Sequence, residues 1–146
     1  MLYLTIAHLF LLIISTSFLI TFLLTKAWIK VAKKSKLVGK DLNKYHKPEI
    51  PEAGGIAFVI GTTFAILVYI FIKTFYLIST SNLVEILAIL LTLVLAGLLG
   101  FVDDILGWKK GLAQWQKPLL TIPIAIPLMV INAGNSTMNI PFFGQV

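Results

Sequence analysis

Two adjacent carboxylates, Asp103 and Asp104, close an apolar stretch that reads Gly97-Leu98-Leu99-Gly100-Phe101-Val102. On a helix at 100° per residue, Gly97, Gly100 and Asp104 fall within an arc of roughly 60°. Glycines let a neighbouring helix approach closely. Asp104 is therefore expected to point toward protein, with Asp103 about a sixth of a turn or more off that face. Carboxylates at the C-terminal end of a helix also meet the negative end of its dipole, which does not stabilise them. Something positive should compensate. Hard oxygen ligands beside a phosphate suit Mg²⁺, so Asp103 and Asp104 are candidate metal neighbours as well as candidate catalytic groups. The plainer reading is a solvated helix end whose carboxylates pair with Lys109 and Lys110. The residues alone leave both open.

A second cluster lies upstream: Gly39-Lys40-Asp41-Leu42-Asn43-Lys44, then Lys47-Pro48-Glu49-Ile50-Pro51-Glu52-Ala53-Gly54-Gly55. Two prolines within four residues force extended backbone, and the Gly-Gly pair is expected to let the chain turn tightly into the next helix. Lysines and free backbone N–H groups feeding a helix N-terminus suit phosphate binding. A basic loop held against anionic lipid headgroups would look similar. Lys117 reads either as an interface anchor or as a phosphate ligand, His46 as a solvated residue among lysines, and His8 takes no role.

The elements that must hold these groups are membrane helices. Of the 146 residues, 58% are hydrophobic and only 12% charged, and the mean hydropathy is +0.96. A soluble domain is about a quarter charged. So few charges cannot coat a water-facing surface, and lipid demands that all backbone polar groups pair internally. The apolar runs are long and do not alternate, so the expected fold class is all-α: a polytopic membrane protein with four transmembrane helices in a single membrane domain, 1–146. A helix needs about 20 apolar residues to cross. The expected spans are about 2–25, 54–77, 83–102 and 118–131. The first carries no charge and lacks both a basic leader and a small-residue cleavage site, so it is expected to be a span and not a cleavable signal peptide. Pro118 suits the first turn of the fourth, and Pro123 and Pro127 should kink it. The absence of cysteine excludes a disulfide framework and a thiolate metal site.

All twelve basic residues are lysines, and eleven of them lie after the first and third spans. By the positive-inside rule the loops 27–53 and 103–116 are cytoplasmic and the N-terminus is outside. The net charge of +6 is then a cytoplasmic membrane surface. No basic motif interleaved with aromatics argues for nucleic acid.

Taken together, an Asp-Asp pair closing a glycine-bearing third span and a Lys/Pro/Gly-Gly loop opening the second resemble the polyprenyl-phosphate N-acetylhexosamine-1-phosphate transferases. The archaeal and eukaryotic dolichyl-phosphate GlcNAc-1-phosphate transferases are the nearer branch, with the phospho-MurNAc-pentapeptide translocases also related. The likeness is carried by Asp41-Leu42-Asn43-Lys44, Ile50-Pro51-Glu52, Asp103-Asp104-Ile105-Leu106, Lys117 and Gly134-Asn135-Ser136-Thr137. It implies transfer of a sugar 1-phosphate from a UDP-activated amino sugar to a polyprenyl phosphate (dolichyl or undecaprenyl), with release of UMP. The cofactor implied is Mg²⁺, or Mn²⁺ in its place. The setting would be the plasma membrane, or the ER membrane in a eukaryote, at a first membrane step of glycan or cell-envelope assembly.

By the same resemblance Lys40, Asp41, Leu42 and Glu52 belong to the uridine-nucleotide pocket. Lys117 contacts acceptor or diphosphate oxygens, and Asp103 and Asp104 are the catalytic carboxylates. A phosphate monoester is largely ionised at neutral pH (second pKa about 6), so electrostatic organisation is a safer role for them than strong-base catalysis. Family members have roughly ten spans, and later loops supply Asn/Asp-rich and further metal-binding segments. This chain is expected to be the N-terminal portion, inactive alone, joined by a missing C-terminal half or forming homo-oligomers through unpartnered helix faces. Gly107 stands where some relatives have a polar residue. The alternative function is a non-catalytic four-helix scaffold or partner subunit. A small transporter ranks last, because no ionisable residue lies mid-span.

Overall fold

The computed structural model describes residues 2–110, 112–133, 139–140 and 144–145, with side chains described for 7–106 and 112–133. Helix α1 is Leu2–Lys34; strands β1 (Val38–Lys40) and β2 (Glu49–Pro51) follow; helix α2 is Gly55–Phe71, continued by a π-helical turn, Ile72–Tyr76. Helix α3 is Leu83–Lys110, α4 is Gln116–Ile131, and two short strands, β3 (Asn139–Ile140) and β4 (Gly144–Gln145), pair antiparallel. The expected all-α membrane architecture is present: the described residues form four helices and two small antiparallel strand pairs. The segment Gly134–Thr137 lies outside the described residues.

Among the described residues, three helical stretches, Ala7–Lys34, Gly55–Tyr76 and Leu83–Leu106, are long and apolar enough to cross a membrane. The protein is an integral membrane protein. Two helices outrun their expected spans, because a helix does not stop at the lipid boundary: α1 continues past Thr25 to Lys34, and α3 carries Asp103 and Asp104 inside the helix, running on to Lys110. The helix α4 has 16 residues, about 24 Å at 1.5 Å per residue, short of a hydrocarbon core of about 30 Å. It begins two residues ahead of Pro118, which still falls in its first turn. Pro123 and Pro127 lie inside it, and their missing N–H groups leave the carbonyls of Leu119 and Pro123 without an intrahelical donor.

Consecutive helices pack as neighbours, α1 on α2, α2 on α3 and α3 on α4. The packing is made by small side chains, as expected where lipid removes the hydrophobic drive between helices. Ala57, Gly61 and Ala65 form a buried stripe at four-residue spacing on α2. A Cβ built on Gly61 would run into Thr21 of α1, and one on Gly97 of α3 would meet Val59 of α2. Large apolar side chains stay outside: Phe10, Phe18, Phe64 and Val84 are all more than half exposed. No polar or charged side chain is buried among the described residues.

The link between α2 and α3 is short and tied down. Lys73 donates from Nζ to the Ser81 carbonyl, Ser79 N–H to the Lys73 carbonyl at 3.0 Å, and the Ser79 and Ser81 hydroxyls lie 3.1 Å apart. Lys73 therefore reaches into this link instead of only snorkelling to the interface.

Candidate active site

The lysine-rich end of the molecule is built by three elements: the α1–α2 connection, the end of α3, and the start of α4. The end of α1 is closed by a Schellman motif. Leu37 N–H bonds to the Ala32 carbonyl (2.9 Å) and Lys36 N–H to the Lys33 carbonyl (3.3 Å), with Lys36 in the left-handed region at φ 57°. The chain then enters the β1–β2 hairpin, in register Val38 to Pro51, Gly39 to Ile50 and Lys40 to Glu49. The extended backbone expected from Pro48 and Pro51 is thus realised as a paired strand. Two further bonds lengthen the ladder at its ends, Asp41 N–H to the Pro48 carbonyl and Glu52 N–H to the Leu37 carbonyl, each 3.1 Å.

Four of the expected site residues sit on this hairpin. Lys40 closes β1 and is exposed, and Leu42 is 78% exposed at the tip. Asp41 shapes the tip: its Oδ1 accepts from Asn43 N–H at 3.0 Å, an Asx turn, and its Oδ2 lies 3.8 Å from Lys44 Nζ. The Glu52 carboxylate lies across the backbone of Gly39, where a Cβ would collide with Oε1. Glycine at 39 is what lets Glu52 lie there. The sharp turn into α2 is made differently from the sequence expectation. Gly54 has ordinary helical torsions (φ −62°, ψ −22°), and the left-handed residue is Ala53, at φ 55° and 4% exposed. A side chain as small as alanine fits this buried corner, so the glycine freedom is not used there.

The carboxylate pair corrects another expectation. Asp103, not Asp104, faces protein: its Oδ2 receives Lys117 Nζ at 2.6 Å and its Oδ1 receives Leu112 N–H at 3.0 Å. Asp104 is exposed, with no hydrogen bond or ion pair among the described residues. The reason lies in what surrounds the helix. Gly97 does seat a neighbour, Val59, but Gly100 has nothing within 4 Å of where a Cβ would be. The 112–117 segment comes back along the Asp103 side instead. Lys117, in the first turn of α4, is thus neither a simple anchor nor free, but charge-paired across the α3–α4 turn. The side chains of Lys109 and Lys110, the alternative partners, lie outside the described residues.

Trp28 of α1 joins the two halves, and sequence reasoning missed it. Its Nε1–H donates to the Glu52 carbonyl at 2.9 Å. Its ring meets Phe101 of α3 edge-on, centroids 5.7 Å apart. The available signal was an indole one turn into a lysine-rich helix end, because a half-buried indole N–H needs a partner.

The donor chemistry suits a hard cation only in part. Asp104 offers an open carboxylate, but both oxygens of Asp103 are engaged, and no group of three or more His, Asp or Glu side chains clusters among the described residues. What this end presents is an open carboxylate, a lysine held by a second carboxylate, and a basic hairpin tied to both through one indole. That combination can bind and orient phosphate groups.

No family model matches the chain. Curated proteins do. It is 38% identical over 133 residues to a Saccharolobus solfataricus protein, covering 89% of this chain and 37% of the relative. It is 35% identical over 136 residues to a Sulfolobus acidocaldarius protein, covering 93% of this chain and 40% of the relative. Both bear, provisionally, the name UDP-N-acetylglucosamine–dolichyl-phosphate N-acetylglucosaminephosphotransferase. A Dictyostelium discoideum protein carries that name outright and is 30% identical over 129 residues, 84% of this chain and 30% of the relative. The chain spans well under half the length of these relatives.

Proposed function

Since the chain is a sequence relative of the UDP-GlcNAc–dolichyl-phosphate GlcNAc-phosphotransferases, as its motifs led one to expect, we propose that it forms the nucleotide-loop and carboxylate portion of such a transferase. The observation that carries this reading is the joining, through Trp28, of the Glu52 end of the lysine-rich hairpin to the α3 end that bears Asp103 and Asp104.

In the reaction proposed, an oxygen of the polyprenyl phosphate attacks the β-phosphorus of UDP-GlcNAc. The bond from that phosphorus to the bridging oxygen breaks, and UMP leaves with the electron pair. Such transfers are governed by positioning and charge stabilisation. Lys40, Asp41, Leu42 and Glu52 hold the uridine nucleotide. Lys117 has three N–H donors; Asp103 occupies one, which fixes the ammonium and leaves two for phosphate oxygens. Asp104 is the uncommitted carboxylate and organises charge at the reacting phosphates. A Mg²⁺ or Mn²⁺ would take Asp104 as its oxygen ligand from this chain and would neutralise diphosphate charge when bound. Both lysine-rich segments then face the cytoplasm, where the nucleotide sugar is, and the N-terminus is outside.

The remaining length of the relatives supplies the rest of the site in this reading, so the 146 residues alone do not turn over. The test uses UDP-GlcNAc labelled with ³²P at the β-phosphate and a short polyprenyl phosphate, in membranes holding either this chain or a complete transferase that carries it. The expected result is label in the lipid, with UMP released, from the complete protein only. Release of UDP, or turnover by the 146 residues alone, refutes the reading. Loss of nothing on Asp104→Asn in the complete protein would favour a scaffold role for this end.

A further inference from the structure

We propose that Trp28 is a positioning residue for the transfer: it sets the Glu52 end of the nucleotide loop against the α3 end that carries the carboxylates. The inference rests on the functional reading above, and it deepens it by naming a residue that touches neither substrate. The backbone of Glu52 is held through both its N–H and its carbonyl. Its N–H bonds to the Leu37 carbonyl at 3.1 Å, within the hairpin. Its carbonyl accepts from Trp28 Nε1 at 2.9 Å, from outside the hairpin. The next residue, Ala53, is held in the left-handed region and buried, so the loop cannot pivot there without moving a packed corner. The ring of Trp28 lies against Phe101, two residues before Asp103.

The same indole therefore fixes loop and carboxylates to one rigid helix, α1, whose next turn buries Ala32. No other described hydrogen bond from a side chain joins the α1–α2 connection to a helix. Its other bonds are within the loop, to the end of α1, or from the first turn of α2, where Ile56 and Ala57 N–H meet the Ala53 and Gly54 carbonyls. A loop that binds a nucleotide correctly but sits an ångström off the reacting centre loses rate steeply. A residue that ties the two together should thus act on catalysis without contacting the substrate.

Two substitutions separate the two contacts. Trp28→Phe keeps an aromatic ring for Phe101 and removes the N–H. Phe101→Leu keeps the N–H bond and removes the aromatic edge contact. The chain contains no cysteine, so a pair of spin labels at Ile50→Cys on β2 and Leu106→Cys on α3 reports a single distance. It is measured by pulsed electron resonance in nanodiscs, on the 146-residue chain and on a complete transferase from which any cysteine outside these residues has been replaced by serine.

A narrow distance distribution is expected with Trp28 and a broadened or shifted one in Trp28→Phe. A distribution of unchanged width and centre in Trp28→Phe overturns the proposal. In the complete enzyme, Trp28→Phe should raise the KM for UDP-GlcNAc about threefold to tenfold, the scale of one lost hydrogen bond, while Phe101→Leu should lower kcat with a smaller change in KM. Equal effects of both substitutions on KM and kcat would mean general destabilisation and overturn the positioning role. An inactive unsubstituted enzyme would defeat the functional reading instead, and the label distances would still decide what Trp28 holds.

Discussion

Replacing Gly97 and Gly100 separately by alanine should have unequal effects on stability, although the two lie about one turn apart on the same helix. At Gly97 an added Cβ would sit 2.5 Å from Val59 Cγ2, 2.8 Å from Cγ1 and 3.2 Å from Cβ. Valine is stiff at χ1, so these methyls cannot swing aside; the α2–α3 contact must open instead. Overpacking of this kind costs about 1–3 kcal/mol. At Gly100 nothing lies within 4 Å. There alanine should stabilise by about 0.5–1 kcal/mol, by reducing the freedom of the unfolded helix. That helix gain applies at both sites and cancels in the comparison. The difference between the two variants is therefore the overpacking alone, about 1–3 kcal/mol, or roughly 2–12 °C at about 2–4 °C per kcal/mol. The assay is the midpoint of thermal loss of monodispersity in detergent, followed by size-exclusion with fluorescence detection. Val59→Ala in the Gly97→Ala background should recover most of the loss, since the two clashing methyls are gone. Equal midpoints for the two single variants, or no relief from Val59→Ala, would refute the close α2–α3 seating. With it would fall the placing of the α3 carboxylates relative to the α2 N-terminus.

Other expectations concern the chemistry and the topology. In a complete transferase, Asp104→Asn should lower kcat about a hundredfold or more, the scale for one key electrostatic group, and near-normal kcat would return Asp104 to a solvated helix residue. Asp103→Asn should lose rate similarly but also destabilise the α3–α4 turn, because the new amide opposes Lys117 with N–H groups; Asp103→Asn with Lys117→Met should regain thermal stability without regaining turnover. Lys117→Ala should raise KM as well as lower kcat, since it would contact ground-state phosphate too, whereas Glu52→Gln should act mainly on the KM for UDP-sugar. Cysteines placed at Ser35 and Ser81 in the cysteine-free chain should label from the inside and the outside of intact cells respectively, and outside labelling at Ser35 would reverse the proposed orientation.

Hydropathy and lysine placement made the helices legible, because lipid imposes one rule on every backbone group and few sequences meet it by accident. The hairpin was half legible. Pro48 and Pro51 announced extended backbone, but the pairing of Lys40 with Glu49 depends on how the tip closes, and no local pattern gives that register. The glycine arc of α3 does not fix where Asp104 points, because the helix is not an isolated cylinder. Which face meets protein is decided by where the 112–117 segment returns, and that is a property of the turn, not of the helix. The pairing of Asp103 with Lys117 across 14 positions was invisible for the same reason. The Ala57-Gly61-Ala65 stripe, by contrast, was there to be read at four-residue spacing as a packing face. The role of Trp28 needs two partners remote in sequence, Glu52 and Phe101, which no local pattern brings together.

The tied link after the π-helical turn also governs how the chain can enter a membrane. From Leu77 to Asn82 there are six residues, which fully extended reach roughly 20 Å, less than the hydrocarbon thickness of about 30 Å. Once α2 is inserted, α3 cannot start from the far side; the two must cross in opposite directions as a single helical hairpin. Added charges that invert one must invert both, so a reporter fused at Ser81 and one fused near Lys117 should always lie on opposite faces, in either orientation of the protein.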